Sequence, residues 1–266
     1  MKSRGILGKI YIFLVMLFLY SPIAVLVVLS FNNSRSRVVW GGFTTKWYRV
    51  LIESKSIMEA LGTTFILAIL SALFASILGL FGAIGIYSMR RRNYRIMLFC
   101  TNIPLLNADI VTGIALLLWF VRFLPLGFSS VLLAHITFNI PYVILCILPK
   151  LKEMDVHQYE AALDLGAGEA YAFVHILIPH ILPGVLSGFL MAVTMSMDDF
   201  VITYFTRGAG VNTLSTLIYG ELRKGIKPEM YALSTILFFV VLILLILVNL
   251  PYERMFSKRT IKKKVK

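Results

Sequence analysis

Asp109, Asp198, Asp199 and His135 stand out because they fall inside otherwise apolar runs of the chain. An ionisable side chain in such a run is costly unless it faces a cavity, a partner or a passing ligand, so placement alone makes each a functional candidate. Carboxylates offer charge pairing and strong hydrogen-bond acceptance, a chemistry suited to a cation. Trp119 and Tyr204 offer ring faces that a cation also favours. Each has a plainer reading beside it. Asp109 would bond a neighbouring helix, Asp198 and Asp199 would end a helix at the lipid headgroups, His135 would be a satisfied packing histidine, and the aromatics would fill a bundle.

Other chemistry is poorly supported. Glycine and lysine in Gly5-Ile6-Leu7-Gly8-Lys9-Ile10 lack the spacing and the hydroxyl of a phosphate-binding loop. The chain has no H-E-x-x-H or G-x-S-x-G run, which weighs against a membrane-embedded enzyme. Cys100 and Cys146 lie in apolar segments and in no metal-ligand spacing, so neither a disulfide framework nor a metal site is expected.

Five of the 13 acidic residues gather in one polar stretch: Glu153, Asp155, Glu160, Asp164 and Glu169. Tyr159, Ala162, Leu163 and Gly166 recur at helical spacing, with the acids on the other side. Glu160 to Leu165 favours helix, and Gly166 and Gly168 then invite a turn. Such a helix suits docking into a groove on a soluble partner, or it remains a solvated loop helix on its own bundle.

The elements that must position these residues follow from composition. Hydrophobic residues make up 59% of the 266, charged residues only 15%, and mean hydropathy is +0.85. Six blocks have about the 20 apolar residues that a bilayer core requires: 9–31, 60–87, 96–121, 128–149, 181–205 and 231–250. The first is too long for a cleavable leader and reads as a retained anchor. The predicted fold is therefore all-α, a single membrane domain over 1–266 with six spans, a loop at about 150–180 and a basic tail at about 252–266. The net charge of +13 sits mostly at block ends, which points to membrane lipid and topology rather than nucleic acid. Placing both termini inside puts 16 Lys/Arg on the inner side and 10 on the outer. The acidic loop is then cytoplasmic.

Blocks two and five carry small residues every fourth position, Ala75, Gly79 and Ala83 in one and Gly184, Gly188, Ala192 and Ser196 in the other. In lipid, such stripes let helix backbones approach. On a regular helix, with Gly184 at 0°, Asp199 falls near the centre of its stripe and Asp198 about 100° away. Pro104 and Asn107 would break block three just before Asp109, which lies near its middle.

The acidic loop resembles the EAA loop of ATP-binding-cassette importer permeases. Glu160-Ala161-Ala162, Gly166, Ile176 and Pro179 match its pattern, with Ile178 where leucine is usual. The segments Phe31-Asn32-Asn33-Ser34, Gly42 to Tyr48, Asp109 to Val111, His135 to Phe138 and Ser196 to Asp199 are similar to the spermidine/putrescine permeases, the second permease subunit in particular. The resemblance implies the type I importer fold and a coupling role for Glu160, Ala161, Ala162 and Gly166. It implies an ATPase homodimer as partner, a second related permease and an extracytoplasmic substrate-binding protein. The substrate would be a polyamine, with another amine, iron or a phosphonate as the alternative. Asp109, Asp198, Asp199, Trp119 and Tyr204 are the pathway candidates. No cofactor is expected on this chain, ATP and magnesium belonging to the partner ATPase.

Overall fold

The computed structural model describes residues 4–34, 39–225 and 227–243, with side chains from residue 8 onward. The end of the sixth block and the basic tail lie outside the described residues. Regular structure among the described residues is helical, and the one bridge outside it joins Asn32 to Phe43.

Four helical stretches are long and apolar enough to cross a membrane. They are Gly8–Ser30 within α1 (Arg4–Ser30), α3 (Lys55–Tyr87), α6 (Phe128–Glu153) and Glu169–Asp198, which includes α8 (Glu169–Ala172), a π-helical turn (Phe173–Leu177) and α9 (Ile178–Asp198). The third block is a broken pair. Helix α4 (Arg91–Leu106) and α5 (Asp109–Phe123) meet at an angle of 100°. The cause lies in the chain: Pro104 removes a helical donor, and Asn107 and Ala108 take extended backbone angles. Helix α12 (Pro228–Ile243) is a shorter apolar helix that reaches the edge of the described residues.

The chain forms two compact units. The first comprises 1–58 and 218–266, the second 59–217. In the first, the connection after α1 is knitted by the Asn32 carboxamide. It donates to the Val39 carbonyl at 2.9 Å and accepts from the amide of Gly41 at 2.8 Å. The Trp47 indole donates to the Asn32 carbonyl at 2.8 Å, and Phe31 stacks on Phe43 with centroids 5.1 Å apart. These contacts seat α2 (Lys46–Glu53), whose buried residues are Trp47 and Leu51.

The core of the second unit is α6, with α3 and α9 packed closely against it. A Cβ on Gly79 would stand 2.6 Å from the Val143 side chain. One on Gly184 would meet the Cys146 carbonyl at 2.9 Å, and one on Gly188 the Val143 Cα at 3.2 Å. As the α9 index rises the α6 index falls, so the two helices run antiparallel. The small-residue stripes are thus the faces that pack, and close backbone approach is their physical purpose. Gly184→Leu is expected to cost at least about 1–3 kcal/mol by overpacking against backbone that cannot yield. The measurement is the yield and thermal midpoint of the detergent-solubilised protein. Gly85→Leu, whose Cβ meets nothing within 4 Å, should leave both unchanged.

Block five departs from the regular helix expected through residue 205. Helix α9 stops at Asp198, Asp199 adopts ψ 125°, and a separate short helix, α10 (Val201–Thr206), follows. The physical reason is the Asp199 carboxylate, which turns back onto the amides that start α10. The chain then continues into α11 (Leu214–Lys224).

Candidate functional site

The acidic loop folds as a self-contained helix. Helix α7 (Val156–Asp164) is capped by Asp155, whose carboxylate accepts from the His157 amide at 3.1 Å. Its far end closes with the Ala167 amide on the Ala162 carbonyl at 3.0 Å and the Gly166 amide on Leu163 at 2.9 Å. That pair of bonds is the Schellman arrangement, and it needs a left-handed residue at Gly166, which has φ +87°. The caps matter because α7 buries none of its own residues, and Leu165 is 89% exposed. Glu160 and Ala161 are exposed, and Ala162 is partly so. The helix thus has finished ends, and much of its surface is uncovered.

The second site lies within the bundle of the second unit, where α9 gives way to α10. Asp199 accepts from the amides of Ile202 at 3.2 Å and Thr203 at 2.8 Å, and from the Thr203 hydroxyl at 2.8 Å. His135 of α6, fully buried, reaches the same cluster. Its Nε2 lies 2.8 Å from Thr203 Oγ1 and 3.4 Å from Asp199 Oδ2. Thr203 spends its hydroxyl proton on Asp199, so its oxygen is left to accept, and the proton of the pair belongs on His135 Nε2. His135 Nδ1 bonds the Ser196 hydroxyl at 2.5 Å, and Ser196 bonds Ser71 of α3 at 3.0 Å. The Ser215 hydroxyl of α11 donates to the Asp199 carbonyl at 2.7 Å. One network therefore ties α3, α6, α9, α10 and α11 together. It satisfies polar groups that an apolar interior would otherwise leave at high cost.

The structure separates the remaining candidates from this network. Asp198 is exposed, as its helical angle predicts, while its neighbour Asp199 keeps only 8% of its side chain exposed. Asp109 is exposed in the first turn of α5, just past the break, within electrostatic reach of Tyr142. One turn further on, Gly113 packs against α10, where a Cβ would meet Phe205 at 3.0 Å and the Ile202 backbone at 3.5 Å. So the helix led by Asp109 lies on the short helix that Asp199 caps. Phe120, Ala134 and Ile202 form a buried cluster that holds this contact. Trp119 is 64% exposed and pairs with Phe123. Tyr204 is 41% exposed, with the Arg207 guanidinium 5.6 Å above its ring.

Thr203 and Ser71 carry no sequence signal, being two hydroxyls among many in apolar helices. His135 and Ser196 were visible, the first as an ionisable residue in an apolar block and the second as a member of a small-residue stripe. Their partnership was not.

The chain matches the family described as binding-protein-dependent transport system inner membrane component over residues 75–259. It is 38% identical over 230 residues to the spermidine/putrescine transport system permease protein PotC of Escherichia coli strain K12, covering 86% of this chain and 87% of that one. It is also 38% identical over 228 residues to the putrescine transport system permease protein PotI of the same strain, covering 83% and 81%. Among solved structures, a chain of a bacterial ABC transporter involved in import of the acidic polysaccharide alginate superposes with a TM-score of 0.71 at 13% identity, covering 94% of this chain and 96% of that one.

Proposed function

This chain belongs to the family of inner membrane components of binding-protein-dependent transport systems, and from that premise we propose that it is the permease subunit of an ATP-binding-cassette importer for polyamines. It is a multi-pass membrane permease, and ATP with its magnesium is handled by a separate ATPase pair. The observation that carries the coupling half of this reading is α7, capped at both ends and with none of its residues fully buried. Glu160, Ala161, Ala162 and Gly166 form the docking element for the ATPase. Closing of the two ATPases around nucleotide pushes the docked loop and reorients the bundle. This requires α7 and both termini on the cytoplasmic side, a second related permease to complete the pathway, and an extracytoplasmic binding protein to deliver substrate.

Permease relatives whose names specify spermidine and putrescine support the substrate class. A polyamine carries several ammonium groups separated by methylenes. Asp109 and Asp198 present exposed carboxylates that would pair with ammonium groups, while Trp119 and Tyr204 offer ring faces. Asp199 contributes by holding α10 in place, since its oxygens already serve Ile202 and Thr203.

Two measurements test the proposal. Restoring this chain to a strain stripped of its polyamine importers should restore uptake of labelled putrescine or spermidine, and unchanged uptake would remove the polyamine assignment. Asp109→Asn should lower uptake about tenfold or more, the loss of a charge-assisted contact worth at least about 1.5 kcal/mol. Assembly with the ATPase should be unaffected, as read by co-purification.

A further inference from the structure

From Ala60 to Ala108 the chain contains no aspartate or glutamate, yet it holds Arg90, Arg91, Arg92 and Arg95 within six residues. All four arginines are exposed, and none forms an ion pair among the described residues. They surround the start of α4, a helix of 16 residues whose first turn has no acid and whose N-cap, Arg90, makes no side-chain capping bond. Lys152, from the end of α6, adds a cation 5.1 Å over the Tyr94 ring, and the Tyr94 hydroxyl is enclosed without a hydrogen-bond partner.

The helix itself is equally open. Helix α4 buries none of its residues. Ile96 is 49% exposed, Phe99 66% and Ile103 49%. At 100° per residue, Arg92, Ile96, Phe99 and Ile103 fall within about 60° of one another, a single line down the helix. The line has its cation at one end and runs about 16 Å to the other, close to half the thickness of a bilayer's hydrocarbon core. Arg95 flanks the head of the line.

We propose that the Arg90–Arg95 turn and the apolar line of α4 form a binding site for an anionic phospholipid, with the phosphate on Arg92 and Arg95 and an acyl chain along Ile96, Phe99 and Ile103. Charge complementarity selects this occupant. A guanidinium presents paired donors that match a phosphate, the uncapped amides of α4 add partial positive charge, and none of the four arginines is paired with a carboxylate among the described residues. The apolar line rejects a free anion as the sole ligand, because inorganic phosphate would leave that surface uncovered. The site is independent of which substrate the permease carries.

The test uses the assembled transporter purified through a tag on this chain and placed in nanodiscs. Discs of phosphatidylcholine alone are compared with discs containing phosphatidylglycerol, and retained lipid is read by native mass spectrometry. The parent protein should retain phosphatidylglycerol selectively, and its thermal midpoint should rise with the phosphatidylglycerol fraction. R92Q/R95Q should cut that retention about tenfold, in line with a modest contribution from each basic residue near an anionic surface. R92K/R95K keeps the charge that sets topology and should retain an intermediate amount. Equal retention by the parent and R92Q/R95Q overturns the proposal, as does displacement of the lipid by millimolar inorganic phosphate. If R92Q/R95Q fails to insert, the parent titration decides alone. A parent that retains phosphatidylcholine and phosphatidylglycerol equally, or whose α4 line is shielded from lipid by another protein chain, also overturns it.

Discussion

Gly166→Leu should leave the protein inserted and assembled but unable to convert nucleotide hydrolysis into uptake. The reason is local. Gly166 sits at φ +87°, a conformation that costs an L-residue about 1–2 kcal/mol. A Cβ there would meet nothing within 4 Å, so the substitution strains the backbone without a clash and spares the bundle. What it disturbs is the closing turn of α7, the two bonds from Gly166 and Ala167 back to Leu163 and Ala162. A helix with no fully buried residue leans heavily on its caps, so a strained cap shifts α7 from its set position. Hydrolysis by the reconstituted complex and uptake into proteoliposomes should part company, with uptake falling about 5- to 30-fold, the rate equivalent of the strain. Gly168 provides the control. It has no positive φ and open space around its Cβ position, so Gly168→Ala should transport normally. Equal coupling in Gly166→Leu and the parent would remove α7 from the mechanism.

Asp199→Ala should be the most destabilising single change among the membrane carboxylates, and Asp198→Ala should scarcely affect stability. Removing the Asp199 carboxylate strands the Ile202 and Thr203 amides and leaves His135 facing an empty position. Leaving a buried hydrogen-bond donor unsatisfied costs about 1–3 kcal/mol, and here two amides and His135 lose their acceptor together. Asp199→Asn keeps an acceptor for the amides and should lose less. Asp198 is exposed and makes no such bonds, so its substitution should act on uptake alone. The thermal midpoint of the solubilised protein checks the first expectation, and uptake of labelled polyamine checks the second. A double-mutant cycle adds a sharper criterion. His135→Gln and Asp199→Asn share a network, so their combined cost should fall short of the sum by at least about 0.5 kcal/mol. Additive costs would mean that the two residues are neighbours without being partners.

These predictions rest on very different kinds of information. The apolar blocks are legible because a bilayer leaves a segment little choice: about 20 apolar residues must satisfy their own backbone, and only a helix does so within one segment. The small-residue stripes of blocks two and five are legible because close helix approach has one cheap solution. Helix α7 can be read from neighbouring residues, since its period, its Asp155 cap and its Gly166 stop are all local. Even the break before Asp109 was announced by Pro104 and Asn107.

What the sequence by itself determined, then, is everything governed by contacts a few residues apart: the spans, their packing faces, the short helix of the acidic loop and the break in block three. Tertiary structure alone decided the fate of the adjacent carboxylates. Asp198 and Asp199 are chemically identical, yet one is exposed and the other is engaged by His135, 64 residues earlier in the chain, and by Thr203 after a helix stop that no breaker residue marks. Burial of a charge depends on whether partners arrive from elsewhere to satisfy it, and those partners come from helices whose meeting is settled only when the bundle closes.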